Sequence, residues 1–224
     1  SLGGVAAVAG IACMALFIAG LPRISVPQPL SLKTRLAPLR KLKILLTFLP
    51  VFFAGLGFHV IYSYIAPLLQ QNLHINDISG LMIACGLGSG LGSWIGGGLA
   101  DRYRIFRSFF LNLLILAVIE SLFPFTTLSW IGALLTLLIW GGALPSLFIL
   151  QQHRLLDLEP GNANVLMGLN SAVIYLGMAG GAGLGGLTIQ AVSASKIGWI
   201  GALCTLISLI LFLLGRRVAA EHLN

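Results

Sequence analysis

The sequence is poor in charged residues, in acidic ones above all, and in cysteine. Only 8% of its 224 residues are charged, and 6 of them are Asp or Glu. Charged residues make up about a quarter of a soluble domain, so this composition excludes an ordinary soluble protein. The three cysteines lie inside apolar runs, without the spacing of a metal site or of a disulfide framework. We therefore expect Cys13, Cys85 and Cys204 to behave as small buried apolar side chains.

Motifs of enzymes and of cofactor sites are absent as well. The sequence has no HExxH, GxSxG, Walker or CxxC pattern. Its glycine runs sit inside apolar segments, whereas a dinucleotide fingerprint follows a strand. The sequence therefore predicts a protein that is not an enzyme and uses no cofactor or metal. A net charge of +7 would suit nucleic acid in a soluble protein, but membrane orientation explains it more simply, and we expect no nucleic-acid partner.

Long hydrophobic runs are what the sequence has instead. Hydrophobic residues make up 58% of the chain, and seven runs approach or exceed the roughly twenty residues that a helix needs to cross a bilayer. We predict an all-α integral membrane protein in contact with the lipid bilayer. The predicted spans are Leu2–Leu21, Ile44–Leu69, Ile78–Ala100, Ile105–Phe123, Leu128–Leu150, Ala163–Gln190 and Lys196–Gly215.

The basic residues predict how these spans are oriented. Twelve of the 13 lysines and arginines fall on one side of the predicted spans, and only Lys196 falls on the other. Loops rich in Lys and Arg stay in the cytoplasm, so we predict the N-terminus of this chain outside and its C-terminus in the cytoplasm. Residues 22–43 combine six of these cations with four prolines, which predicts a basic cytoplasmic linker. Because the chain opens at Ser1 with an apolar run, we expect it to begin partway through a larger protein.

From Ile44 onward, the composition of the spans repeats. The order is mixed, glycine-rich and leucine-rich, and then the same three again, which is typical of two three-helix repeats in a transporter. Small residues at a spacing of four let helix backbones approach closely in a bilayer. The two glycine-rich spans each carry such a series, and we predict helix packing at Gly88, Gly92, Gly96, Gly177, Gly181 and Gly185.

A few polar side chains inside the spans are candidates for chemistry. His59 shares a helical face with Tyr62 and Ser63, and an ionisable group at that depth is expected to face a cavity or another helix. Its functional role would be substrate hydrogen bonding or proton transfer, and the alternative is a neutral structural histidine. Further candidates for a substrate-cavity wall are Thr136, Trp140 and Asn170. Glu120 lies about one turn from a span end, where we expect it to reach the interface, with a proton site as the alternative.

Three stretches resemble the major facilitator superfamily of transporters. They are YSYIAPLL at Tyr62–Leu69, GGGLADR at Gly96–Arg102 and NSAVIYLGMAGGAGLGG at Asn170–Gly186. The second is the most specific, because it is similar to the superfamily's loop motif. Within the superfamily, the chain is most similar to bacterial proton-linked efflux permeases of the drug and arabinose-efflux type. This resemblance implies a location in a bacterial inner membrane.

The resemblance implies a fold and a division of the chain. Residues 44–215 would form the six-helix C-terminal lobe, preceded by the last helix of the N-terminal lobe (1–21) and a central linker (22–43), and followed by a cytoplasmic tail (216–224). The N-terminal six-helix lobe would be the missing partner. Asp101 would hold a cytoplasmic gate closed within a gating loop of Gly97, Asp101, Arg102, Arg104 and Arg107. The basic pair of the family motif is replaced here, and Arg104 and Arg107 are its candidate substitutes.

These features predict a secondary transporter that exports a small organic compound, sugar or drug-like, in exchange for protons by alternating access. Two alternatives remain open from the sequence. Seven spans with the N-terminus outside also match a seven-span receptor, although the loops are short and the repeat would be unexplained. The other alternative is a structural membrane subunit without transport activity of its own.

Overall fold

The computed structural model describes residues 36–158, 160–191 and 196–221, together with the single residues Ile11, Met14 and Lys33. The chain divides into two units, residues 1–34 and 35–224, and the helical bundle belongs to the second. Apart from Ile11 and Met14, the predicted span Leu2–Leu21 lies outside the described residues, as do Cys13 and most of the predicted linker 22–43.

The described part is helical and contains no β-strand. A single 3₁₀ turn at Ala37–Arg40 precedes the first long helix, and another at Pro160–Asn162 precedes the sixth. The seven α-helices are α1 (Leu42–Tyr62), α2 (Ile65–Leu73), α3 (Ser79–Arg102), α4 (Ile105–Thr126), α5 (Trp130–Leu158), α6 (Ala163–Ala191) and α7 (Ile197–Glu221).

Five of these helices are both long enough and apolar enough to cross a membrane: α1, α4, α5, α6 and α7. The glycine-rich α3 is not among them, because glycine adds little hydropathy, but its 24 residues span about 36 Å at 1.5 Å per residue. The predicted span Ile78–Ala100 thus corresponds to a helix of sufficient length. The protein is an all-helical integral membrane protein.

The predicted span Ile44–Leu69 is wrong as one continuous helix. The helix α1 ends at Tyr62, Ser63 and Tyr64 form a turn, and α2 begins at Ile65. Pro67 is the third residue of α2, where a helix has no internal use for the missing N–H. A continuous helix would instead lose the hydrogen bond from residue 67 to the Ser63 carbonyl. The chain therefore breaks its helix just before the proline.

The fifth helix extends two turns beyond the predicted end at Leu150. Polar residues extend it, and two of them contact other helices. The side-chain amide of Gln151 donates to the Thr47 carbonyl oxygen of α1 at 2.9 Å. Arg154 is one of the twelve basic residues on the predicted cytoplasmic side, beyond the predicted span end. It lies in the helix, with its guanidinium 4.4 Å from the ring centre of Phe109 and 4.8 Å from that of Phe212. These contacts give the polar turns a packed environment that hydropathy does not register.

The helices pair across the two predicted repeats. From the first repeat, α3 packs on α5, and from the second, α6 packs on α1. The leucine-rich helices also pack on the opposite repeat: α4 packs on α5, α7 packs on α1, and α4 and α7 pack on each other. Each repeat therefore buries its helices against the other one, so neither repeat forms a separate core.

Two glycine seams set the closest of these contacts. The first seam is Gly88, Gly92 and Gly96 of α3, which lie against Leu138, Gly142 and Ser146 of α5. The second seam is Gly177, Gly181 and Gly185 of α6, which lie against Phe52, Leu56 and Val60 of α1. An added Cβ at any of the six would come within 3.0 Å of a backbone atom of the neighbouring helix. In both seams the numbering rises on the two helices together, so each pair is parallel.

Candidate functional site

An aromatic cluster lies where α1 meets α5. The ring of Phe58 stacks on that of Trp140, with centroids 3.8 Å apart and planes 10° from parallel. The ring of Tyr62 lies beside both, 5.8 Å from Phe58 and 6.4 Å from Trp140. The ring of His59 lies 5.8 Å from Tyr62. Trp140 is fully buried whereas Tyr62 is 48% exposed. The cluster therefore runs from the packed core to an open face, as a wall of rings that a ligand can contact.

His59 adds a polar group to this wall. Its ring Nδ1 lies 2.9 Å from the Gly55 carbonyl oxygen, one turn earlier in α1. A carbonyl only accepts hydrogen bonds, so Nδ1 carries the hydrogen and the neutral ring presents Nε2 as an acceptor. The side chain is half-buried. His59 thus places a hydrogen-bond acceptor next to the rings of Phe58 and Tyr62.

The other residues predicted for the cavity wall occupy different places. Thr136 is buried one turn before Trp140 on the same helix, whereas Ser63 is exposed in the turn between α1 and α2. Asn170 is buried, and its Oδ1 has no hydrogen-bond partner among the described residues. Gly177 packs on Phe52, so Asn170 lies toward the other end of α1, on the order of 20 Å from His59 at 1.5 Å per residue. The structure does not bring Asn170 into the aromatic cluster.

The predicted gating loop lies at the basic end of the bundle, which we define by Lys43, Arg104, Arg107, Arg154 and Arg216. Gly97, Asp101 and Arg102 belong to the last turns of α3, and Arg104 precedes the first residue of α4. Asp101, Arg102, Arg104 and Arg107 are all exposed. Within residues 36–158, 160–191 and 196–221, Asp101 has no ion pair. Its carboxylate is free to contact a group outside this lobe.

A lateral groove of about 650 Å³ opens between α3, α4 and α5. Its walls are mostly apolar, with Tyr103 and Arg107 at the basic end. Asn112 and Ser146 line it, and the side-chain oxygen of each is buried without a hydrogen-bond partner in the described part of the chain. The groove therefore combines an apolar surface with two unsatisfied polar atoms.

Glu120 does not reach the membrane interface. Its side chain is fully buried, with the carboxyl Oε2 2.6 Å from the Thr205 hydroxyl of α7 and Oε1 3.4 Å from the Trp140 indole nitrogen of α5. The expectation that it snorkels is wrong, because the face of α4 that carries Glu120 packs against α5 and α7 instead of lipid. Proximity to a helix end along the sequence does not tell which way that face points.

Several residues of this region cannot be identified as part of a site from the sequence alone. Nothing in the sequence singles out Phe58, although it stacks directly on Trp140, and Thr205 resembles any other small polar residue of a leucine-rich span. Arg154 counts in the sequence only as a topology signal. The sequence offers one signal for Glu120, which is that it is the only acidic residue inside the predicted spans. No three His, Cys, Asp or Glu side chains cluster as metal ligands among the residues that the structure describes.

Comparisons with known proteins give consistent results. No family model matches the chain. It is similar to the uncharacterized MFS-type transporter YbcL of Bacillus subtilis, with 32% identity over 96% of this chain and 55% of that protein. The inner membrane transport protein YdhP of Escherichia coli is 27% identical over 95% of the chain and 55% of that protein. A probable sugar efflux transporter of Helicobacter pylori is 33% identical over 68% of the chain and 39% of that protein. The chain spans about half the length of the first two.

Proposed function

Because this chain belongs to the major facilitator superfamily of membrane transporters, we propose that it forms the C-terminal lobe of a secondary transporter that exports a small organic compound in exchange for protons. The relatives named above are transporters and not enzymes. A two-lobed transporter places its substrate site between the lobes. The partner that completes this site is then an N-terminal six-helix lobe, and residues 1–21, 22–43, 44–215 and 216–224 form the last helix of that lobe, the linker, the C-terminal lobe and the tail.

The aromatic cluster is the observation that carries this proposal. Phe58 and Trp140 come from α1 and α5, the first helices of the two repeats, and the cluster opens at Tyr62. Aromatic faces bind apolar molecules and the C–H faces of sugars, and the acceptor Nε2 of His59 selects a ligand with a hydroxyl or amine. The name of the Helicobacter pylori relative supports a sugar as the first compound to test. A drug-like amphipathic compound has the same combination of ring contact and hydrogen bond.

The surfaces of α3 and α6 opposite the seams support a second lobe. Five glycines have no atom of another described helix within 4 Å of the place where a Cβ would stand: Gly86, Gly90 and Gly98 of α3 and Gly168 and Gly183 of α6. A second set of helices can therefore approach these two backbones as closely as the seams do. We propose that the N-terminal lobe packs here.

The basic end provides the gate and the orientation. Exposed Asp101 would bind cations or a helix N-terminus of the other lobe, which closes the cavity on that side. The lysines and arginines of this end favour the cytoplasmic surface. We therefore propose a bacterial inner membrane location with the C-terminus of the chain in the cytoplasm.

Substrate-dependent proton movement tests the function. Everted membrane vesicles that contain the protein at its native length are acidified by respiration, and compounds from a panel of sugars and amphipathic drugs are added. An exporter that exchanges compound for protons dissipates the pH gradient when its substrate is added. We expect at least one compound to do so, and Asp101→Asn to reduce the rate at least several-fold with normal membrane insertion.

Asp77→Asn is the matched control, because Asp77 is an exposed carboxylate in the loop between α2 and α3. Its rate should equal that of the unsubstituted protein. If Asp101→Asn leaves the rate unchanged, Asp101 is not the gate. If no compound dissipates the gradient while the protein is inserted and folded, exchange transport is wrong, and a receptor or structural subunit takes its place.

A further inference from the structure

Glu120 is the one carboxyl group among the described residues that is fully buried within the bundle. It has two polar contacts, to Thr205 of α7 and to Trp140 of α5. No lysine or arginine pairs with it in the described ranges. Its apolar surroundings include Phe123 of its own helix, whose ring packs edge-on against Trp140 at 5.5 Å. Nothing in the aromatic cluster or the gating loop accounts for an acid at this position.

We propose that Glu120 is the proton-binding site of this lobe and that Trp140 transmits its protonation state to the aromatic cluster. An isolated carboxylate is costly at this depth of a membrane protein, and no cation offsets it here. The resting group is therefore the neutral acid. The assignment rests on the proposed function only for its use in transport, because the binding of the proton follows from the contacts themselves.

The contacts allow the site to hold either protonation state. The Thr205 hydroxyl lies 2.6 Å from Oε2 and donates to it as it would to a carboxylate. In the neutral state the proton sits on Oε2 instead, and the Thr205 hydroxyl oxygen accepts the hydrogen bond. On release, the O–H bond breaks, its electron pair stays on Oε2 and the proton passes to water. A hydroxyl both donates and accepts, so Thr205 then turns its own hydrogen toward the carboxylate. The Trp140 N–H remains a donor to Oε1 in both states.

Release of the proton strengthens the hydrogen bond that the Trp140 indole donates to Glu120. Its hydrogen bond to Glu120 is long, at 3.4 Å, and bonds to an ionised acceptor are shorter and stronger than bonds to a neutral one. The ionised carboxylate therefore draws the indole toward α4. The ring of Trp140 lies 3.8 Å from that of Phe58, so its movement repacks the wall that contains Tyr62. Proton release at Glu120 and ligand contact at Tyr62 are coupled through two stacked rings.

Other titratable groups near the site have to be separated from Glu120. On α7, the Cys204 thiol interacts electrostatically with it. On α1, His59 lies beyond the ring of Phe58, with ring centroids 5.3 Å apart. On α5, the group in contact with Glu120 is Trp140, which does not titrate in the neutral range. Cys204→Ala and His59→Gln are therefore the controls for any titration observed at this position.

Fluorescence of Trp140 alone tests the proposal without any substrate. Trp94, Trp130 and Trp199 are more than half exposed. They are replaced by Phe, together with any tryptophan in the rest of the native-length protein, which is placed in lipid nanodiscs. We expect the remaining emission to shift across the neutral pH range in a single one-proton step. The step is lost in Glu120→Gln, persists in Cys204→Ala and His59→Gln, and has a displaced midpoint in Thr205→Val.

An emission that does not change with pH overturns the proposal, as does a step that survives in Glu120→Gln. If Glu120→Gln fails to fold, infrared spectroscopy of the unsubstituted protein decides. A carbonyl band of a protonated buried acid that disappears as the pH rises supports the proposal, and a carboxylate or an unchanging acid band at every pH overturns it. A positive result here together with no response to any compound in vesicles would reject the exchange function and keep the proton site.

Discussion

The two repeats of this lobe are joined to each other by the same backbone contacts but by different polar groups. Each repeat lays a glycine seam on the first helix of the other, α3 on α5 and α6 on α1. Where α7 packs on α1, the Ser208 hydroxyl donates to the Pro50 carbonyl oxygen at 2.6 Å. Where α4 packs on α5, the polar contact is Glu120 with Trp140. We call these the serine joint and the glutamate joint.

The serine joint is a neutral hydrogen bond between groups that do not titrate. The Pro50 carbonyl lies in a bundle where each unsatisfied polar group is costly, and the Ser208 hydroxyl gives it a partner from another helix at every pH. The glutamate joint changes its charge with the proton. One half of this approximately symmetric lobe is therefore joined by a contact that does not change with pH, while the contact in the other half changes when Glu120 gains or loses a proton.

The largest loss of stability is expected from a substitution of Trp140, the aromatic side chain of the glutamate joint. Trp140→Ala removes a fully buried indole with its stacking on Phe58 and its edge contact with Phe123. Such truncations lower the free energy of unfolding by about 3–5 kcal/mol. We expect little folded protein by size-exclusion chromatography of detergent extracts. Trp199→Ala is the matched control, since Trp199 is 56% exposed, and an equal loss in both would mean that Trp140 is not a packing centre.

The second effect tests whether the two glycine seams are equivalent. Gly92→Ala adds a methyl group directly against the Gly142 backbone, and Gly181→Ala adds one against Leu56. Overpacking of this kind lowers the free energy of unfolding by about 1–3 kcal/mol, and we expect similar reductions in thermal stability for both.

Gly90→Ala and Gly183→Ala are the matched controls on the same two helices, because an added Cβ there meets open space. Thermal unfolding in nanodiscs should leave both controls unchanged or slightly more stable. If Gly92→Ala or Gly181→Ala has the same thermal stability as the control on its own helix, the two helices of that seam do not approach as closely as the structure shows.

The smallest effect concerns the serine joint. Ser208→Ala removes the donor to the Pro50 carbonyl, and the loss of one hydrogen bond lowers the free energy of unfolding by about 1 kcal/mol. We expect the same loss at every pH, because neither group titrates. Ser171→Ala is the control, since that exposed hydroxyl bonds only to the Met167 carbonyl of its own helix. A loss for Ser208→Ala that varies with pH would contradict the division between fixed and responsive joints.

Much of this architecture can be predicted from the sequence. Runs of apolar residues predict helix positions close to those observed for α3, α4, α6 and α7, because the bilayer requires continuous helices. The resemblance to the major facilitator superfamily, carried by stretches such as GGGLADR, is confirmed by the relatives. The spacing of four in the glycines indicates helix contacts, and in the structure each of the six lies against another helix.

Other features depend on which face of a helix meets which neighbour, and the sequence does not contain that directly. Glu120 is expected at the interface from its place in the span and is fully buried instead, because α4 turns this residue toward α5 and α7. Asn170 shares a span with the second seam yet lies far from His59. Arg154 extends α5 through contacts with two rings from other helices. In each case, the position of the side chain is determined by packing against other helices. The hydropathy of one span contains no information about those neighbours.

The most direct test of the contrast between the two joints is a pair of spin-label distances measured as a function of pH. One pair joins Leu114 of α4 to Gln152 of α5, and the other joins Leu45 of α1 to Leu213 of α7, all at exposed positions in a protein whose native cysteines are replaced by alanine. We predict that the α4–α5 distance changes across the neutral range, that Glu120→Gln abolishes the change, and that the α1–α7 distance stays constant. Distances that stay constant in both pairs, or that change equally in both, would contradict the account.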